Sequence, residues 1–95
     1  MAELRDDYRY TYISTNTTTQ VNTGQCRLVR IVLTETAAGA ITIYNEIASD
    51  TTDIVGVMKA SIAENPYDFG CNLSKGLKIT TAAASKLTVV WYPLK

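Results

Sequence analysis

Side-chain polarity alternates with a period of two along most of this chain, and polar turns interrupt it at intervals of about ten residues. Ile41 and Ile43 project one way while Thr42 and Tyr44 project the other. Near the C-terminal end Leu87, Val89 and Trp91 share one face, with Lys86, Thr88 and Tyr92 opposite. Successive side chains of a pleated strand point to opposite faces, so the pattern describes strands with one side on a core. A helix competes only over residues 54–62, where Ile54, Val57, Met58 and Ile62 fall near helical spacing. Gly56 and the β-branched residues beside it tip that stretch to a strand. The chain reads as an all-β protein.

Fourteen Thr, eight Ile and seven Val make nearly a third of the 95 residues β-branched, which suits a sheet. A chain of this length supports one hydrophobic core and buries only about 60–65% of its unfolded surface. Nine basic and nine acidic residues cancel to zero net charge. That balance argues against a protein whose affinity comes from neutralising nucleic-acid phosphates. It also removes the self-repulsion that keeps small proteins apart. Residues 1–10 carry Glu3, Arg5, Asp6, Asp7 and Arg9, so no signal peptide and no membrane-spanning segment are expected.

Residues 8–13 (YRYTYI) read as a strand with Tyr8, Tyr10 and Tyr12 on one face and Arg9 and Thr11 on the other. Asn22-Thr23-Gly24 supplies turn chemistry before the strongest strand, residues 27–35. Ala37-Ala38-Gly39 looks like the tight turn of a hairpin into residues 40–45. Short strands follow at 54–62, 67–73 and 77–80, and a last one at 86–92 ends before Pro93. About eight short antiparallel strands without intervening helices describe a single small β-sandwich or jelly roll. Trp91 is expected in its core.

Chemistry is sparse. The chain has no His, which removes the usual general base and the commonest metal ligand. Cys26 and Cys71 lie too far apart, without His, for a zinc site, and read as small apolar residues rather than a disulfide. Asp50 and Asp53 fit a solvated turn better than a calcium loop. Gly24, Gly39, Gly56, Gly70 and Gly76 are scattered singly and match no phosphate-cradling loop. No catalytic, cofactor or metal residue is assigned, and an enzyme is not expected.

GQCRLVRIVL, AGAITIYNE, VMKASI, SKGLKIT and KLTVVWY follow one another in a familiar order. Gly24, Leu28, Ile43-Tyr44, Gly76-Leu77, Ile79 and residues 87–92 carry the pattern, which covers roughly residues 21–92. It resembles small jelly-roll structural proteins of tailed bacteriophages, of the capsid decoration (cement) or head-fibre type. The resemblance implies a virion protein on the capsid exterior, made in the bacterial cytoplasm. It would bind the major capsid protein and itself, as a trimer, with no nucleic acid, membrane or cofactor. A receptor- or carbohydrate-binding jelly roll, or a fibre-base or tail component, is the alternative.

On these grounds residues 1–20 are expected to form an N-terminal arm or first strand and residues 21–95 the sandwich. Residues 1–13 would dock a neighbouring subunit without being needed for the fold, since Tyr suits interfaces. Strand 27–34 reads as apolar on both faces, with Val29, Ile31 and Leu33 on one side and Leu28, Arg30 and Val32 on the other. Such a strand needs a cover for its second face. Tyr8, Arg9, Tyr10, Tyr12, Leu28, Arg30 and Val32 are therefore the candidate interface residues.

Overall fold

The computed structural model describes residues 8–94. They form eight strands: β1 (Arg9–Ile13), β2 (Thr17–Thr23), β3 (Cys26–Glu35), β4 (Ile41–Tyr44), β5 (Ile54–Met58), β6 (Pro66–Leu73), β7 (Gly76–Thr81) and β8 (Lys86–Pro93). All pairings are antiparallel, in two four-stranded sheets ordered β1-β8-β3-β6 and β2-β7-β4-β5. Every connection except β4–β5 passes from one sheet to the other, which is the wiring of a jelly roll. The all-β sandwich read from the sequence is the fold observed.

The turn Ala37-Ala38-Gly39 corrects one expectation. It carries the chain from β3 in the first sheet to β4 in the second, so it is a crossover and not a hairpin. Gly39 is needed there: a Cβ would sit 2.7 Å from the Ala82 carbonyl carbon and equally close to Ala83. Residues 54–62 also form less strand than expected. β5 ends at Met58, and the chain turns at Ser61, which takes a left-handed φ of 57°.

Registers place the core between the sheets. Ile13, Leu87 and Leu33 make one inward row of the first sheet, and Thr11, Val89, Ile31 and Tyr67 the next. Ile79 and Ile43 answer them from the second sheet, as do Ile41 and Met58. Leu28, Ile31, Ile41, Ile43, Leu77, Ile79 and Leu87 are fully buried. At roughly 1.5–3 kcal/mol each, their burial outweighs the exposed ion pairs, which are worth about 0–1 kcal/mol. Trp91 is buried as expected, and its indole Nε1 donates to the Thr11 hydroxyl at 3.3 Å.

β3 corrects a second expectation. Leu28 pairs with Trp91 and Arg30 with Val90, which leaves Val29 as an extra residue in a β-bulge. The bulge shifts the alternation by one, so Cys26 and Leu28 point inward with Ile31 and Leu33. Leu28 is fully buried in its own core and cannot belong to a subunit interface. Strand β3 is thus not apolar on both faces in the way its sequence suggests.

The N-terminal boundary is corrected as well. Residues 1–7 lie outside the described residues. Every residue of β1 pairs with β8, and Ile13 is part of the core. β2 is an edge strand of the second sheet, so a boundary after residue 20 falls inside it. The sandwich takes in the chain from β1 onward.

Candidate interaction surface

Two rows of the first sheet's outer face hold the tyrosines of β1. Tyr10, Val90, Arg30 and Asp68 form one across β1, β8, β3 and β6. Tyr12, Thr88, Val32 and Pro66 form the other. Alternation along β1 puts its tyrosines here because Thr11 and Ile13 take the inward positions. Tyr8 extends the stripe and stacks on Tyr92, with ring centroids 5.4 Å apart and planes 11° from parallel. Tyr8, Tyr10 and Tyr12 are 47%, 78% and 57% exposed, beside half-buried Val32 and Val90.

Of the residues singled out in the sequence, Tyr8, Tyr10, Tyr12, Arg30 and Val32 converge on this face. Arg30 Nε lies 3.1 Å from the Asp68 carboxylate in an exposed pair. Arg9 pairs with Trp91 on the inward row, yet at the sheet edge it stays exposed. Leu28 alone is removed from the surface. Exposed tyrosines with apolar neighbours can dock a protein, because each ring offers a large apolar area at low entropic cost and a polar tip.

The second sheet presents a different outer face. Thr18, Thr80, Thr42 and Val57 form one row, with a 3.0 Å hydrogen bond between the Thr18 and Thr80 hydroxyls. Gln20, Lys78, Tyr44 and Ile54 form the next. The β4–β5 loop folds over part of it and buries two charges that the sequence did not reveal. Lys78 Nζ donates to the carbonyls of Ala48 and Asp50 and sits 5.2 Å from the Tyr44 ring centroid. Ala48 takes a left-handed φ of 55° at this contact.

Glu46 holds the same loop from inside. Its carboxylate accepts from the Thr52 hydroxyl at 2.7 Å and from the Asp53 backbone N–H at 2.8 Å, and the Lys75 ammonium lies 3.5 Å away. The Thr52 bond is the chief cause that holds the Glu46 carboxyl below its ordinary range, helped by Asp53 and Lys75, while burial works against it. In the alternating pattern, Lys78 reads as an ordinary outward polar residue. Only the loop folded above it makes it buried.

A groove of about 510 Å³ beside this loop is lined by Thr18, Gln20, Thr23, Ile47, Ala48 and Lys78. Its one cation is committed to backbone carbonyls, so it offers no free charge to a ligand. Cys26 and Cys71 are free thiols, and burial pushes both up, away from the reactive thiolate. Among the described residues no three His, Cys, Asp or Glu side chains cluster to hold a metal.

No protein-family model and no curated protein matches the chain. Among solved structures, the fold is similar to the core of the Drosophila protein NLP, whose crystal structure gives insight into pentamer formation and histone binding. The TM-score is 0.57 at 11% identity, over 95% of this chain and 100% of that one. At this identity the likeness is one of fold.

Proposed function

We propose that the chain is a structural virion subunit of a tailed phage that oligomerises and decorates the capsid by binding the major capsid protein. The observation that carries this proposal is the stripe Tyr8, Tyr10 and Tyr12, exposed on the outer face of a jelly-roll sheet. The broad dimensions of the molecule, 36 by 31 Å, leave room for a standard interface of about 800 Å² per partner. The resemblance of residues 21–92 to decoration and head-fibre proteins supplies the setting. A subunit bound across capsomer junctions stabilises the assembled shell by mass action and needs no catalysis.

Mass spectrometry and electron microscopy of particles from the phage that carries the gene test this directly. The chain is expected in stoichiometric copies on the head, and particles lacking it are expected to disrupt at lower temperature. A few copies at the tail would favour the fibre-base alternative. Absence from the particle would overturn the proposal.

A further inference from the structure

The two sheets end in four edge strands, β1, β6, β2 and β5, and three of them are poorly built to take another strand. β2 is interrupted at Val21, where its pairing with β7 steps from Gln20 to Asn22. β5 is interrupted at Val55 and carries Gly56. β6 opens on Pro66, which has no N–H to donate. Its register with β3 also slips between Asp68 and Cys71, where Gly70 takes a left-handed φ of 59°. Bulges and proline are ordinary protections of a sheet edge against pairing with another chain.

β1 carries neither. Its five residues pair one for one with β8, from Arg9 with Trp91 to Ile13 with Leu87. Apart from Arg9 its sequence, RYTYI, is entirely aromatic or β-branched, which favours an extended strand. In an antiparallel pair alternate residues turn their N–H and C=O away from the neighbouring strand. Among the described residues no strand lies beyond β1, so these groups form an open template.

A second β1 fits that template. Antiparallel pairing of a strand with its own copy is twofold symmetric. With Thr11 on the axis all five residues overlap, and Tyr10 of each copy stands opposite Tyr12 of the other. Strand alternation keeps these four rings on one outer face. Aromatic pairs and Thr–Thr pairs directly across strands are favourable, and Tyr10 and Tyr12 are 78% and 57% exposed in the single subunit. Arg9, the one charged residue of β1, then stands opposite Ile13. The two arginines fall at opposite ends of the junction and do not face each other.

We infer that two copies join edge to edge through β1, making one continuous eight-stranded sheet with a tyrosine cluster at its centre. This inference rests on the proposed reading that the subunit oligomerises, and it names the contact. The junction closes at two copies, where the resemblance to decoration proteins implies three.

Sedimentation and residue-resolved amide exchange test it on the wild-type chain beside Tyr10→Asp/Tyr12→Asp, which sets like charges opposite each other across the junction. The wild type is expected at twice 10.4 kDa, with every amide of residues 9–13 exchanging slowly. The variant is expected as a monomer in which the β1 amides that face β8 stay slow, showing that it is folded, and the alternate ones become fast. A wild-type monomer at every concentration, or a mass other than twofold, would overturn the inference. So would a dimer whose alternate β1 amides exchange as fast as in the variant, since that dimer is docked by its face and not by its edge. Each of these results is compatible with the protein still being found on the capsid, so edge pairing and capsid decoration fail separately.

Discussion

Trp91 and Glu46 are the residues whose environments make the sharpest demands on the fold. Trp91 fills the core from β8 and is tied to β1 through Thr11. Its replacement by Ala is expected to cost about 3–5 kcal/mol in urea unfolding, a large share of the roughly 5–15 kcal/mol that holds a small domain. An intrinsic fluorescence maximum typical of full exposure in the wild-type chain would contradict this placement. Glu46 is charged in the fold at lower pH than in the unfolded chain, because its folded value is depressed below 4.5. Its contribution is therefore complete above that value and is lost as pH falls through the lower folded value. As pH falls below 4.5 the melting temperature of the wild type should drop more steeply than that of Glu46→Gln. Equal slopes would mean that the carboxylate does not pin the loop. Neither Glu46 nor Lys78 was legible as a buried charge, since polar residues next to strands usually face water. Their burial comes from the β4–β5 loop, whose path no local pattern encodes. The tyrosine stripe was legible because alternation alone puts Tyr8, Tyr10 and Tyr12 on one side.

Among the elements, β3 and β1 separate what patterning decides from what packing decides. Alternation located the strands, and β8 came out with the faces expected for it. In β3 one extra residue at Val29 reverses the faces before it, which took Leu28 from candidate interface to core. A bulge leaves no mark in a run of apolar residues, so the sequence reads the strand as two-faced. Turn residues are equally silent about destination. Ala37-Ala38-Gly39 suits a hairpin or a crossover, and the choice falls to whichever sheet buries Ile41 and Ile43. β1 carries the clearest element-scale prediction. Removing residues 1–13 deletes Ile13 from the core, frees the hydrogen-bonding edge of β8 and strips Trp91 of its Thr11 partner. The truncated chain is expected to lose cooperative unfolding or to aggregate through the bared edge. A soluble truncated chain with a sharp thermal transition would restore these residues to the status of a dispensable arm.

At the scale of the whole molecule, zero net charge and a broad tyrosine face point to a protein that works by association. Each buried Tyr brings about 150–250 Å² to an interface. Association must overcome an estimated 4–15 kcal/mol of lost rigid-body freedom, so a few isolated contacts would not suffice. The Arg30–Asp68 and Lys86–Glu35 pairs are exposed and contribute little to stability. Sedimentation of the full chain across micromolar concentrations, beside a Tyr10→Asp/Tyr12→Asp variant, tests most directly whether this face drives assembly. The wild type should sediment as an oligomer and the variant as a folded 10.4 kDa monomer. A wild-type chain that is monomeric at every concentration, or a variant that assembles as well as the wild type, would contradict it.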